Sequence, residues 1–185
     1  MIGVHEQKNG TVKDVIIREW TLEDLPAVQH VLLTTWLDAY ASFIPEEDLR
    51  AYFEEHYNLP ALQALYHSRG VGGYVAEVGG SLAAYVKTQF SVEEKRFYVS
   101  SLYVLPEYQG LGLGTRLMRS AEQCALTYNV DEIWLGVMTQ NLPALKWYRS
   151  MGFRFVEEQP FTMGKTTVAH LIGFRKVPRD TEITA

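Results

Sequence analysis

Residues 104–115 read VLPEYQGLGLGT, with glycines at 110, 112 and 114. Alternating glycines let a backbone turn tightly and bring several amide N–H groups towards one point. They stand at the head of a helical pattern carried by Leu113, Leu117, Ala121, Cys124 and Tyr128. Unpaired amides and the dipole at a helix N-terminus favour an anion, above all a phosphate. Two familiar phosphate loops do not fit. A Walker loop ends in Gly-Lys-Ser/Thr, and the lone Gly-Lys-Thr (Gly164 to Thr166) lacks its upstream glycine, because position 159 is Gln. The dinucleotide fingerprint spaces its second and third glycines by three, and here the spacing is two. An idle helix entry would waste three glycines at about 1 kcal/mol each. A ligand-binding loop explains them better.

A second constellation lies downstream. Asn141 and Tyr148 bracket a helical stretch, and at about 100° per residue they come within about 20° of each other on one face, with Leu145 between them. Asn141 also suits an N-cap, with Pro143 in the first turn. Capping and ligand contact are compatible. Tyr148 alone reads either as a core aromatic or as a phenol that stays protonated at neutral pH and can donate.

The elements that must carry these residues alternate between strand and helix. Val15–Arg18 is a strand. Thr21 and Asp24 form a capping box for a helix with Leu25, Val28, Leu32 and Trp36 on one face. A second helical region spans 36–66, interrupted by Pro45 and Pro60 and rich in aromatic and acidic side chains. After glycines 70–73, Tyr74–Val78 and Leu82–Phe90 make a hairpin around Gly79-Gly80, and a strand runs from Phe97 to Leu105. The long helix follows the glycine loop. Then come a strand over Ile133–Met138, a helix over Asn141–Met151 capped by Gly152, and strands over Phe153–Glu157 and Val168–Phe174. The order predicts one α/β domain over 15–176, with polar termini at 1–14 and 177–185.

Composition narrows the function. At 185 residues the chain has the length of one domain, and 47% hydrophobic with 21% charged residues excludes a disordered or collagen-like polymer. A net charge of −5 argues against nucleic acid and fits a cationic substrate. The lone cysteine, Cys124, excludes an internal disulfide and a cysteine zinc site, and the five histidines show no paired ligand spacing, so no metal is expected. No run reaches the roughly 18 apolar residues of a membrane span, and the polar start lacks the apolar core of a signal peptide. A cytoplasmic protein without membrane contact is the expectation.

Gln109-Gly-Leu-Gly112-Leu-Gly114, preceded by Leu102-Tyr-Val104-Leu-Pro106, resembles the acyl-coenzyme-A motif of the GNAT N-acetyltransferases. Asn141-Leu-Pro-Ala144-Leu-Lys-Trp-Tyr148-Arg-Ser-Met-Gly152-Phe153 is similar to that family's second motif, in the family's order. The resemblance implies a GNAT-like mixed, mostly antiparallel sheet flanked by helices, and acetyl-CoA as cosubstrate. It implies that backbone groups of Leu102 and Val104, flanking Tyr103, pair with the pantetheine arm. The amides of Gln109, Gly110, Leu111, Gly112, Leu113, Gly114 and Thr115 would hold the pyrophosphate. Asn141 would contact the cofactor, and Tyr148 would be the general acid, donating to the thiolate expelled when an amine attacks a thioester. Many relatives carry a Glu where this chain has Ser100; Ser100 and its neighbour Ser101 could order a water relay but cannot serve alone as a base. Asp38, Glu93 and Glu94 are the other candidates, and the base stays open.

Ile133-Trp-Leu-Gly-Val137, Phe161-Thr-Met163-Gly164 and His170-Leu-Ile172 are similar to PaiA-type polyamine acetyltransferases, as is the aromatic–Asp–aromatic pattern Trp36-Leu-Asp38-Ala-Tyr40. That likeness implies a primary-amine acceptor such as spermidine, contacted by Trp36, Asp38, Tyr40 and Ser100. The aromatic cluster reads equally as core packing. Two departures stand out: His170 where that group tends to have Asp, and Ser100 where it has Glu. The competing readings are an acyl-CoA-binding sensor that transfers nothing, an acetyltransferase acting on a protein or peptide amine, and a structural interaction protein. Exposed edges of the C-terminal strands would allow a homodimer.

Overall fold

A computed structural model describes residues 14–178. Seven strands form one sheet: β1 (Val15–Glu19), β2 (Val71–Val78), β3 (Ser81–Ser91), β4 (Arg96–Val104), β5 (Glu132–Met138), β6 (Arg154–Met163) and β7 (Thr166–Lys176). Their order is β1-β2-β3-β4-β5-β7-β6, antiparallel throughout except between β4 and β5. This is the mixed, mostly antiparallel sheet expected from the sequence. Five helices complete the fold: α1 (Leu25–Tyr40), α2 (Glu46–His56), α3 (Leu59–Tyr66), α4 (Leu113–Thr127) and α5 (Leu142–Ser150).

Strand alternation sends alternate side chains to two cores. One gathers Val86, Val99, Leu135 and Val137 beneath Leu113, Leu117 and Ala121 of α4 and Leu145 and Tyr148 of α5. The other gathers Tyr85, Met138 and Val168 beneath Val28, Leu32 and Trp36 of α1 and Leu49 and Phe53 of α2. Each fully buried Leu or Val contributes about 1.5–3 kcal/mol of transfer free energy. Leu113 and Leu117 are such residues, and they anchor α4 directly behind the glycine loop.

Several element boundaries differ from the sequence reading. Trp36–Tyr40 is the last turn of α1, not part of a second region. The prolines start helices rather than break them: Pro45 precedes α2 and Pro60 lies in the first turn of α3, where a missing N–H costs nothing. The break falls at Tyr57-Asn58, where Asn58 Oδ1 accepts the Ala61 N–H at 2.9 Å. The capping box is realised in part, with the Thr21 N–H donating to Asp24 at 2.7 Å across a short 3₁₀ turn that runs into α1. β2 begins at Val71 and includes two glycines read as loop; a Cβ on Gly73 would sit 2.8 Å from the Trp20 ring. β6 continues to Met163 rather than stopping at Glu157, through Pro160. It is the outermost strand, so the missing proline N–H need not interrupt the ladder with β7.

The β6–β7 turn is tied to α2. Asp48 Oδ1 accepts the Lys165 N–H at 3.0 Å and Oδ2 accepts the Thr166 hydroxyl at 2.6 Å. The Thr166 hydroxyl and the Lys165 amide hold this carboxyl below the ordinary carboxylate range. Gly164 at the turn has φ +59, and a Cβ there would lie 2.5 Å from Asp48 Oδ1. Of the expected polar termini, 1–13 and 179–185 lie outside the described residues. Val177 is buried in the core, and its N–H donates to the Asp131 carbonyl at 2.8 Å.

Candidate active site

The site begins where the sheet splits. β4 and β5 pair at only two positions, Phe97–Ile133 and Tyr98–Trp134. Beyond them the β5-facing backbone of residues 99–104 has no partner strand and opens on a cleft of about 1230 Å³. The register between β3 and β4 also shifts here, Lys87 standing opposite Ser101 and Thr88 opposite Val99. Ser100 is the extra residue of that bulge, and its hydroxyl donates to the Lys87 carbonyl at 3.3 Å.

One half of the cleft is built from backbone. Gly110 and Gly112 have φ +78 and +74, and a Cβ on either would meet nothing, so glycine is required there for conformation alone. Gly112 is the N-cap of α4, which aims the helix's first amides at the cleft. Gly114 has another role: its missing Cβ lets the Trp147 ring approach, at 3.4 Å from where a Cβ would be. Leu102, Tyr103, Val104, Gln109, Gly110, Gly112, Leu113, Gly114 and Thr115 all line the cleft. The Leu113 side chain is buried in the core, so Leu113 could offer a ligand only its backbone, and Leu111, which is exposed, does not line the cleft. The unpaired β4 edge and the helix N-terminus together could hold an extended, amide-bearing chain that ends in phosphates.

Asn141 caps α5, accepting the Ala144 N–H at 3.2 Å, and lines the same cleft. Tyr148 also lines it, packed between the Trp147 ring at 4.8 Å and the Phe153 ring at 5.5 Å. Burial pushes the Tyr148 phenol far above its ordinary value, so it is protonated at every physiological pH. Ala144 and Trp147, rather than Leu145, share this face, since Leu145 belongs to the core.

The other half is built from side chains. Trp36 is buried among the rings of Tyr40, Tyr52, Phe53, Tyr57 and Tyr103, with centroids 5.1–6.5 Å away. Core packing and cleft wall are therefore the same cluster. Tyr40 faces Tyr103 and Asn141, and burial raises its pKa. Asp38 is exposed but lines the cleft; Glu94 lines it too and accepts from the Tyr98 hydroxyl; Glu93 does not line it.

Sequence reasoning missed Lys87, Tyr52 and Tyr57, named Ser101 only as the neighbour of Ser100, and noted Phe161 and His170 only as points of likeness or departure. All six line the cleft. The signal for Lys87 was a charged residue inside a continuous buried run, Ala83 to Thr88. His170 packs so closely over Gly136 that a Cβ there would lie 2.2 Å from its Cε1. Burial holds this imidazole below its ordinary pKa, partly offset by the Gly136 backbone, so it is neutral at pH 7. Among the described residues no helix is long and apolar enough to cross a membrane.

Comparison with known proteins agrees with this geometry. Residues 33–153 match the model of the acetyltransferase (GNAT) family. An N-alpha-acetyltransferase of Sulfurisphaera tokodaii is 30% identical over 125 residues, covering 62% of this chain and 70% of that protein. Streptothricin acetyltransferase of Streptomyces lavendulae is 36% identical over 76 residues, covering 41% and 40%. Among solved structures, a PaiA N-acetyltransferase from Thermoplasma acidophilum in complex with coenzyme A superposes with a TM-score of 0.77. That match spans 88% of this chain and 99% of the other at 22% identity, a likeness of fold.

Proposed function

The chain belongs to the GNAT acetyltransferase family and is an acetyl-CoA-dependent acyltransferase; from that premise we propose that it acetylates a primary amine directly, with Tyr148 as general acid and His170 as general base. The observation that carries this is a single cleft. It joins the unpaired β4 edge and the glycine loop to an aromatic wall, with Tyr148 and His170 both lining it. The cosubstrate supplies a thioester carbon open to attack.

The backbones of Leu102, Tyr103 and Val104 hold its extended arm, the amides from Gln109 to Thr115 hold its pyrophosphate, and Asn141 contacts it while capping α5. Neutral His170 takes the proton that an alkyl ammonium must lose before attack. The amine nitrogen forms a bond to the acetyl carbon as the carbon–sulfur bond breaks; Tyr148 donates a proton to the departing sulfur, and the second proton shed by the amide nitrogen restores the phenol. Ser100 borders the acceptor and braces the bulge. Cys124, half-buried on α4, stands apart from this chemistry and suits a reducing compartment such as the cytoplasm.

A polyamine is one finer form of this reading. It draws on the rings of Trp36, Tyr40, Tyr52 and Tyr57, suited to cation–π contact, and on Asp38 and Glu94. A peptide amine draws on the relative named an N-alpha-acetyltransferase. The test is release of free thiol from acetyl-CoA with spermidine, spermine, lysine, aminoglycosides and peptides. Saturable turnover on one of them, lowered about a hundredfold in Tyr148→Phe while coenzyme A binding holds, is the expected result. Undiminished turnover in that variant would remove Tyr148 from the mechanism.

A further inference from the structure

The acceptor half of the cleft holds a cation that no anion among the described residues neutralises. Lys87 is 6% exposed and lines the cleft from β3. Among the described residues its ammonium makes no ion pair and no hydrogen bond; its one close contact is with the face of the Tyr57 ring, 5.3 Å from the centroid. The carboxylates that share the cleft are not its partners: Asp38 is exposed on α1, and Glu94 takes the Tyr98 hydroxyl. The same wall is rich in donors. Trp36 Nε1 is buried without a hydrogen-bond partner, and the Ser101 hydroxyl lies beside the Tyr57 phenol and, behind the wall, that of Tyr85.

A buried ammonium without an anion is costly and is kept only where something repays it. Burial pushes the pKa of Lys87 down to about 8, so it is mostly charged at pH 7, and an arriving anion would hold it charged. Across the split in the sheet stands His170, opposite Met138 on β5 and over Gly136. The floor of the acceptor site thus presents a cation on one side and a proton acceptor on the other. With β4 and β5 between them, these two groups suit a molecule that bears both a carboxylate and an ammonium.

We propose that the acceptor is an amino acid, and that Lys87 binds its carboxylate while its amine lies on the His170 side. The proposal rests on the acetylation reading above and narrows it: a polyamine would bring only positive charge to this lysine. The Trp36–Tyr57 rings and Phe161 take the acceptor's apolar part.

Matched pairs that differ only by the carboxylate test this: phenylalanine with phenethylamine, tryptophan with tryptamine, lysine with cadaverine. For at least one pair kcat/KM should favour the amino acid by about tenfold or more, the scale of one charge-assisted hydrogen bond. The preference should fall to near one in Lys87→Met and be largely kept in Lys87→Arg, with coenzyme A binding as the check that each variant is folded. Preference for the decarboxylated members overturns the proposal. So does an equal loss on both members in Lys87→Met, which would place the lysine at the reacting thioester instead. Titration of N-acetylphenylalanine and N-acetylphenethylamine into the coenzyme A complex separates the two levels of the argument. Tighter binding of the carboxylate that depends on Lys87, in a protein that turns over no amine, would uphold this proposal and overturn the acetylation reading. Turnover of amines without that dependence would do the reverse.

Discussion

The two halves of the cleft are made of different materials. The half beside α4 and α5 is backbone: two left-handed glycines, a helix N-terminus and a strand edge that β5 leaves unpaired. The half beside α1 and α2 is side chains drawn from α1, α2, β3, β4, β6 and β7, among them Trp36, Tyr52, Lys87, Ser101, Phe161 and His170. Backbone geometry is dictated over a few consecutive residues, whereas a wall of side chains exists only once distant segments have packed. The first half can therefore serve a constant ligand, and the second can be rebuilt one residue at a time for a different acceptor.

Three substitutions would sharpen or break that contrast, beside the Tyr148 and Lys87 variants above. The largest effect is expected from His170→Gln, at about a hundredfold in kcat/KM. Because burial lowers the imidazole pKa, its neutral form predominates above that value. Activity of the wild-type protein should rise as the pH rises through it. A pH–rate profile of the variant should lose that limb; a limb that survives would hand the base to another group. Gly112→Ala comes next. Its Cβ meets no atom, so the substitution tests conformation alone, and a left-handed residue costs about 1–2 kcal/mol, or about tenfold in acetyl-CoA Kd by calorimetry. The acceptor KM should stay as it was, and a parallel rise would mean that the halves are not separable.

Asp48→Asn should have the smallest effect and the opposite signature. It loosens the tie between α2 and the β6–β7 turn, so the acceptor KM should rise slightly while the acetyl-CoA Kd holds. The fold lowers the pKa of Asp48, so its stabilisation is complete above the ordinary carboxylate pKa and disappears as the pH falls through the folded value. Thermal melts should accordingly separate the variant from the wild-type protein at pH 7 and bring them together in acid, once the pH has fallen below the folded pKa of Asp48. A gap that persists in acid would mean that the tie is not ionic.

The same contrast explains what could be read from the sequence. The hairpin around Gly79-Gly80, the glycine loop and the Asn141–Tyr148 face were legible because each is fixed by neighbours in the chain. The aromatic pattern Trp36–Tyr40 was visible too, although its last turn belongs to α1 and Trp36 serves as core and wall at once. Asp48 was read with Glu46 and Glu47 as part of an acidic stretch, yet its partners lie 117 and 118 residues away. Lys87 could be assigned only after β3 was known to be buried on both faces, and His170 only after β7 was known to lie beside β5. Contacts of that separation leave no mark on local periodicity. The glycines themselves were legible as a group but not one by one: Gly110 and Gly112 set conformation, Gly114 makes room for Trp147, and Gly136 makes room for His170.

Pro160 sits within the outermost strand, whose exposed residues include Arg154, Glu157 and Glu158. An outer edge with a gap in its row of donors and charge along its length is a poor template for a further strand. Pairing of a second copy along this edge is accordingly disfavoured. Pro160, three residues beyond the point where the sequence reading ended this strand, thus guards an exposed edge.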